Sequence, residues 1–414
     1  MRHIKRITLT LMIISLLCTL PSCWDRREVE RLGIVMTVGI ESAPGGKVRV
    51  IVQNINPGAI GKGGGGGGLM GGGGAGGKPY RNRLGEGNTI FDAIRELSRE
   101  TPRQLFFAHN QVIIISEEMA RERGLREITD FFERHPQIRR TTWLLVGKGP
   151  LSALMDEPGR LEDNPAQRVV GIINERDLTS QYAVQKLGDF LEMMESEGSQ
   201  PYTAVLERKI NKAAPEEHKN RLAEGHIAEP HQNVQIDGTA IFRRDKMVGW
   251  LNSRESRGLL WIRGKVRGGV IDVPNPDQKG QIIVLEIIKS KTKLKPEIKD
   301  GQIILTADIA VESNLGETTG ELDIVKPETV TRLEELQARA IQGEIESALA
   351  RAQEEYGVDV FGFGEALHRK YPRQWKEMKS RWSELFPEVQ VQVGVKAKIR
   401  RTGLITKPTE PKQR

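Results

Sequence analysis

The feature that most constrains the fold is an alternation near the C-terminus. Val389, Val391, Val393, Val395, Ala397 and Ile399 are separated by Gln390, Gln392, Gly394, Lys396, Lys398 and Arg400. Successive side chains of a strand point to opposite faces, so this segment reads as a strand with one covered face and one solvated, basic face. Upstream, Pro327 opens a run in which Val330, Leu333, Leu336, Ala340, Ile341, Ile345, Leu349 and Ala352 recur at steps of three and four, to about Tyr356. That period lays an apolar stripe along a long helix, and the stripe needs a sheet to cover it. Segments 281–290 and 302–313 supply two more strands. The second puts Ile303, Leu305, Ala307, Ile309 and Val311 on one face, after an Asp300-Gly301 turn. Residues 276–405 are therefore expected to form a C-terminal α/β domain with a long helix, followed by a tail at 406–414.

The N-terminal part has a different rhythm. Segments 33–40 and 47–55 are β-branched runs joined by Pro44-Gly45-Gly46, which fits two strands and a turn. Residues 58–78 are almost wholly glycine and bury too little surface to repay ordering, which predicts a flexible loop between structured elements. Gly72–Gly77 with Lys78 superficially match a phosphate-binding loop. Pro79, however, stands where a Ser or Thr should ligate magnesium. From Asn88 the pattern turns helical, with Ile90, Phe91, Ile94 and Leu97 on one face and Asn88 or Thr89 as cap. A buried strand at 111–116, helices at 117–123 and 125–134, and a strand at 142–146 follow. Such alternation implies a mixed α/β layer, completed by 164–174, 182–195 and 203–210.

This N-terminal domain is placed at 23–205, with its glycine-rich loop at 58–78. The polar, charged stretch 206–232, punctuated by Pro215 and Pro230, is read as a linker. Next, 239–242 and 247–250 flank Arg243-Arg244-Asp245-Lys246 as a hairpin leading into a helical 254–260, a small middle domain at 233–275. The fold class expected is α+β: mixed α/β sheets with packed helices, in three domains after a leader.

That leader occupies residues 1–22. Arg2, Lys5 and Arg6 make a positive start, residues 7–20 an apolar stretch too short for a membrane span, and Leu20-Pro21-Ser22-Cys23 reads as a lipobox. Cys23 would carry a diacylglyceryl group, whose two acyl chains, at about 0.8 kcal/mol per buried CH₂, hold a protein on a bilayer. Cys18 leaves with the leader, so no thiol remains for a disulfide, a metal site or a nucleophile. The remaining 392 of 414 residues must be held by apolar burial. The formal charge of +7 falls to +4 once Arg2, Lys5 and Arg6 leave, because residues 1–22 carry no acid. So small an excess suits a surface near anionic headgroups better than a nucleic-acid footprint.

Several motifs then agree with one family. Trp24-Asp25-Arg26-Arg27-Glu28 after the lipid cysteine, 106–116 with Glu117-Glu118, and 131–140 resemble the Ger(x)C lipoproteins, the C subunits of spore germinant receptors. So do Val248-Gly249-Trp250-Leu251, Arg257-Gly258-Leu259-Leu260-Trp261, Phe361-Gly362-Phe363-Gly364-Glu365-Ala366, His368-Arg369-Lys370-Tyr371-Pro372, Trp375 and 398–403, in order and spacing. The resemblance covers nearly all of the mature chain. It implies three mixed α/β domains and a lipid-anchored subunit on the outer face of the inner spore membrane. It also implies assembly with a larger A subunit and a multi-spanning B subunit in a receptor for nutrients that trigger germination.

The candidate site residues carry two readings each. Trp24, Arg26 and Arg27 suit seating at the headgroup level or a solvated tether. Phe361, Phe363, Arg369 and Tyr371 suit a partner surface, but Gly-Phe-Gly-Phe patterns more often mark close packing of a helix end on a sheet. Trp250, Arg257 and Trp261, with Arg254 and Arg263, suit an acidic partner or cation–π packing. His109 reads as structural. His218, His226 and His231 lie in the linker, where metal binding would need an ordered site. No G-x-S-x-G, H-E-x-x-H or C-x-x-C pattern occurs, so neither catalysis, a cofactor nor a metal is expected. The rival reading is a lipoprotein that binds a solute for a transporter, with a cleft between two lobes.

Overall fold

The computed structural model describes residues 31–56, 78–156, 164–210, 232–320 and 326–401, together with 6, 10, 28, 59 and 322–324. Two sheets organise them. The first has ten strands: β1 (Leu32–Ala43), β2 (Lys47–Ile55), β3 (Tyr80–Gly87), β4 (Gln104–Phe106), β5 (Val112–Ser116), β6 (Trp143–Lys148), β7 (Gln185–Lys186), β8 (Tyr202–Ile210), β9 (Gln232–Arg243) and β10 (Lys246–Leu251). Their main order is β10-β9-β8-β6-β5-β1-β2-β3, with β4 beside β1 and β7 beside β6. The centre, β8-β6-β5-β1, is parallel, and antiparallel hairpins extend it on both sides.

A parallel centre needs cover on both faces. Every residue of β5 is buried, Ile113 and Ile115 on one side and Val112 and Ile114 on the other. One side is covered by α1 (Ile90–Glu100), α2 (Glu117–Glu122), α3 (Arg126–Arg134) and α6 (Leu187–Glu195), the other by α4 (Leu151–Met155) and α5 (Pro165–Asn174). The Thr89 side chain caps α1 by accepting from Asp92 N at 3.1 Å. Within α1, Ile90, Ile94 and Leu97 are buried as expected, but Phe91 is half exposed. It falls one residue off the stripe, where Arg95 covers it.

The second sheet has the order β11 (Val270–Pro274), β12 (Ile282–Lys299), β13 (Gln302–Thr318), β14 (Gln390–Arg401). β12 and β13 are one long hairpin. Asp300 and Gly301, at φ 51° and 79°, make the left-handed turn that matches the twist of such a pair. α7 (Ser253–Ile262) and α8 (Pro327–Leu349) cover the inner face of this sheet, and π-helical turns continue α8 through 350–355. β14 returns parallel to β13 as an edge strand. Its Val391, Val393, Val395 and Ala397 are therefore only half buried, while Lys396, Lys398 and Arg400 are exposed.

The segment expected as a separate middle domain divides between the sheets. β9 pairs with β8 from Ile210–Gln232 to Tyr202–Ile241, so β9 and β10 complete the first sheet, whereas α7 and β11 belong to the second. The charged stretch 211–231, outside the described residues, joins two adjacent antiparallel strands. The glycine-rich loop also lies outside them, apart from Ala59 and Lys78.

Candidate functional site

The two sheets are joined at a junction built around Asp359. Its carboxylate is buried at 2% exposure. Oδ1 accepts from the backbone N–H of Phe361 (3.1 Å), Gly362 (2.8 Å) and Phe363 (3.1 Å), and Oδ2 from Gly364 N–H (2.8 Å) and Trp382 Nε1–H (3.0 Å). These N–H groups include the orphan donors that open α9 (Phe363–Lys370), which an acidic side chain satisfies well. Burial pushes the carboxyl above its ordinary range, while the N–H groups of Gly364 and Phe363, Arg263 and the indole of Trp382 pull it back.

Around that staple the chain from the first sheet lies directly on the chain from the second. Glu365 N donates to Gly198 O (3.0 Å) and Gln200 N to Asp359 O (2.7 Å). Arg263 donates from Nε to Val360 O and from Nη2 to Ser199 Oγ, each at 2.8 Å. Gly362 takes φ 80°, a conformation that favours glycine, and a Cβ on Gly364 would run into Gly198 and Trp375. Trp375 lies in α10 (Pro372–Met378) and Trp382 in α11 (Trp382–Leu385); the two rings pack edge to face at 5.3 Å, and His368 stacks on Trp375 at 5.9 Å.

A second buried centre ties α7 to α8. Arg257 donates from Nε to Glu344 Oε2 (2.9 Å), from Nη2 to Glu344 Oε1, and from Nη1 to Val270 O (2.9 Å). Trp261 Nε1–H adds a bond to Glu344 Oε2 (2.9 Å). The pair is thus bidentate and its remaining groups are satisfied, as a buried ion pair requires.

Of the two readings given to these motifs, the contacts support packing for four residues offered as a partner surface. Arg257, Trp261, Phe361 and Phe363 are buried, at 8%, 0%, 3% and 0% exposure, and hold the core together. Aromatic, glycine and arginine motifs serve packing and recognition alike, so sequence did not separate the two. Trp250 is half buried, under the cations of Arg121 and Lys148 at 5.5 and 5.7 Å. Arg369 is exposed and Tyr371 half buried beside Lys370. His109 lies against Phe106. Cys23, Trp24, Arg26 and Arg27 lie outside the described residues, as do His218, His226 and His231.

A groove of about 1070 Å³ runs along the junction, with Arg126, Arg244 and Lys379 set among Glu133, Glu197 and Asp245. Among the described residues, no group of three or more His, Cys, Asp or Glu is placed to hold a metal ion, and no helix is long and apolar enough to cross a membrane.

Comparison with known proteins gives the family. Residues 25–208 match the spore germination protein N-terminal domain, and residues 237–403 match the spore germination B3/GerAC-like C-terminal domain. The chain is 27% identical to spore germination protein KC of Bacillus subtilis (strain 168), over 98% of its own length and 97% of the relative's. It is 22% identical to spore germination protein B3 of the same organism, over 95% and 97% of the two chains. The crystal structure of the GerBC protein superposes with a TM-score of 0.56 at 19% identity, covering 87% of this chain and 96% of that one, a likeness of fold. Matched in both domains and in their order, the chain belongs to the GerAC-like family of spore germinant receptor C subunits.

Proposed function

We propose that this chain is a lipid-anchored, non-enzymatic C subunit that takes part in nutrient-triggered germination by assembling with the A and B membrane subunits of its receptor. The observation that carries the reading is the pairing of a lipobox with two successive germination domains. The first match begins at residue 25, two positions after Cys23. An acylated Cys23 would precede the matched region by two positions, and two acyl chains suffice for stable attachment to a bilayer.

The junction also supports a scaffold over a solute receptor. A solute-binding protein closes two lobes about a hinge. Here the groove is flanked by backbone bonds between residues 198–200 and 359–365, and such bonds resist opening. The reading is tested by affinity purification of the chain from detergent-solubilised spore membranes. Recovery of the A and B subunits is expected. Their absence, together with tight binding of a single amino acid or sugar by the purified chain, would replace this reading with solute binding.

A further inference from the structure

The outer face of the second sheet carries an organised field of positive charge. Paired residues on neighbouring strands share a face, and the register sets Lys289 beside Glu312, Lys293 beside Asp308, and Lys295 beside Thr306. Lys289, Lys291, Lys293, Lys295 and Lys299 of β12 therefore form one row, on the side away from α7 and α8, and all are exposed. From β14, Lys396 lies beside Ala310 and Lys398 beside Glu312, and with Arg400 they form a second exposed row. Between the rows stand Asp308 and Glu312. Lys295 Nζ meets Asp308 at 2.7 Å and Arg400 Nη2 meets Glu312 at 2.7 Å. Lys293 and Lys396 also act on Asp308, and Lys289 and Lys398 on Glu312, so each acid is shared among three cations. Glu297 and, in the turn, Asp300 bring the acids at this end to four against eight cations, so positive charge is in excess.

The other end of the same face is mixed, with Val270, Ile282 and Ile288 standing among the exposed acids Asp272, Glu286 and Glu317. Val270 lies beside Glu286 and Ile282 beside Pro274, in the outward series of β12 that ends at Ile288, next to the bulge before Lys289. Val270, Ile282 and Ile288 are 48%, 46% and 48% exposed. None of the four strands contains Phe, Tyr or Trp. Protein interfaces are enriched in aromatic residues and arginine and depleted of lysine, the opposite of this face. Rows of lysine without aromatic neighbours are instead what anionic headgroups attract.

We propose that the cationic part of this outer face docks on the surface of an anionic lipid bilayer, with the two rows at the level of the lipid phosphates and the end that carries Asp272, Glu286 and Glu317 turned away from it. The contact is separate from acylation at Cys23 and orients the second sheet against the membrane.

The test uses the chain from Trp24 onward, which retains every strand of both sheets and lacks both leader and acyl group. Co-sedimentation is measured with vesicles of phosphatidylcholine alone and with about 30% phosphatidylglycerol added. The wild-type chain is expected to bind the anionic vesicles about tenfold or more tightly than the neutral ones, with the difference shrinking as salt rises. Lys291→Glu, Lys293→Glu and Lys396→Glu together should abolish that preference, whereas reversing Lys47, Arg373 and Lys376 should leave it, both variants retaining the wild-type circular dichroism. Equal binding to both vesicles, or a full preference in the triple sheet variant, overturns the proposal. No vesicle binding at all also overturns it and makes an acidic protein the occupant to seek.

Discussion

Gly198 and Gly364 meet backbone to backbone, although the first follows α6 of the large sheet and the second sits in α9 of the other unit. A Cβ on either would fall about 2.6–2.7 Å from the other's backbone. Gly364→Ala should therefore force the two chains apart. The expected cost is about 1–3 kcal/mol, as for other overpacked sites. Thermal unfolding checks it: a clear fall in Tm is predicted, and an unchanged Tm would mean that the junction yields.

Asp359→Asn removes the charge and also turns an amide NH₂ toward N–H donors. With every partner of Asp359 a donor, the amide can accept on one side only. The expected loss is about 1–3 kcal/mol, read from denaturant unfolding. Loss of protection from hydrogen exchange should concentrate in 361–364.

Glu344→Ala leaves the Arg257 guanidinium and the Trp261 indole facing an empty site. Breaking one partner of a buried pair costs about 3–5 kcal/mol. Replacing both charges, Arg257→Met with Glu344→Leu, should recover much of that loss. A double variant no more stable than Glu344→Ala would show that the pair is not the origin of the effect.

His135 packs against Phe107 and Phe131 at 5.1 and 5.7 Å, and burial holds its pKa below the ordinary value of 6.5. The unfolded chain then binds the proton more readily than the folded one, so stability is full above about pH 7 and falls as the pH drops through the unfolded value. His135→Gln should flatten that dependence of Tm between about pH 5 and 7. A slope unchanged in the variant would assign it to other groups.

Much of this fold is legible in the sequence because the strong periods are local. The valine alternation at 389–399, the stripe of α8 and the Asp300-Gly301 turn each state their own element. What depends on distant partners is not legible. The polar stretch 211–231 has the composition of a linker whether it separates domains or joins β8 to β9. Phe361, Phe363, Arg257 and Trp261 have the chemistry of an interface and the position of a core. The signal for Asp359 is local, since an acid just ahead of a Phe-Gly-Phe-Gly turn into a helix is placed for capping. The lysine row of β12 is legible too, as a period of two at 289, 291, 293 and 295.

The most direct test of the account is dipicolinate release after nutrient addition, in spores carrying the wild-type chain, a deletion, or Cys23→Ala. The account predicts loss of the nutrient response in the deletion and a strong reduction in Cys23→Ala, with germination by non-nutrient triggers preserved. A normal response from the deletion to every nutrient that the wild-type spores answer would contradict it.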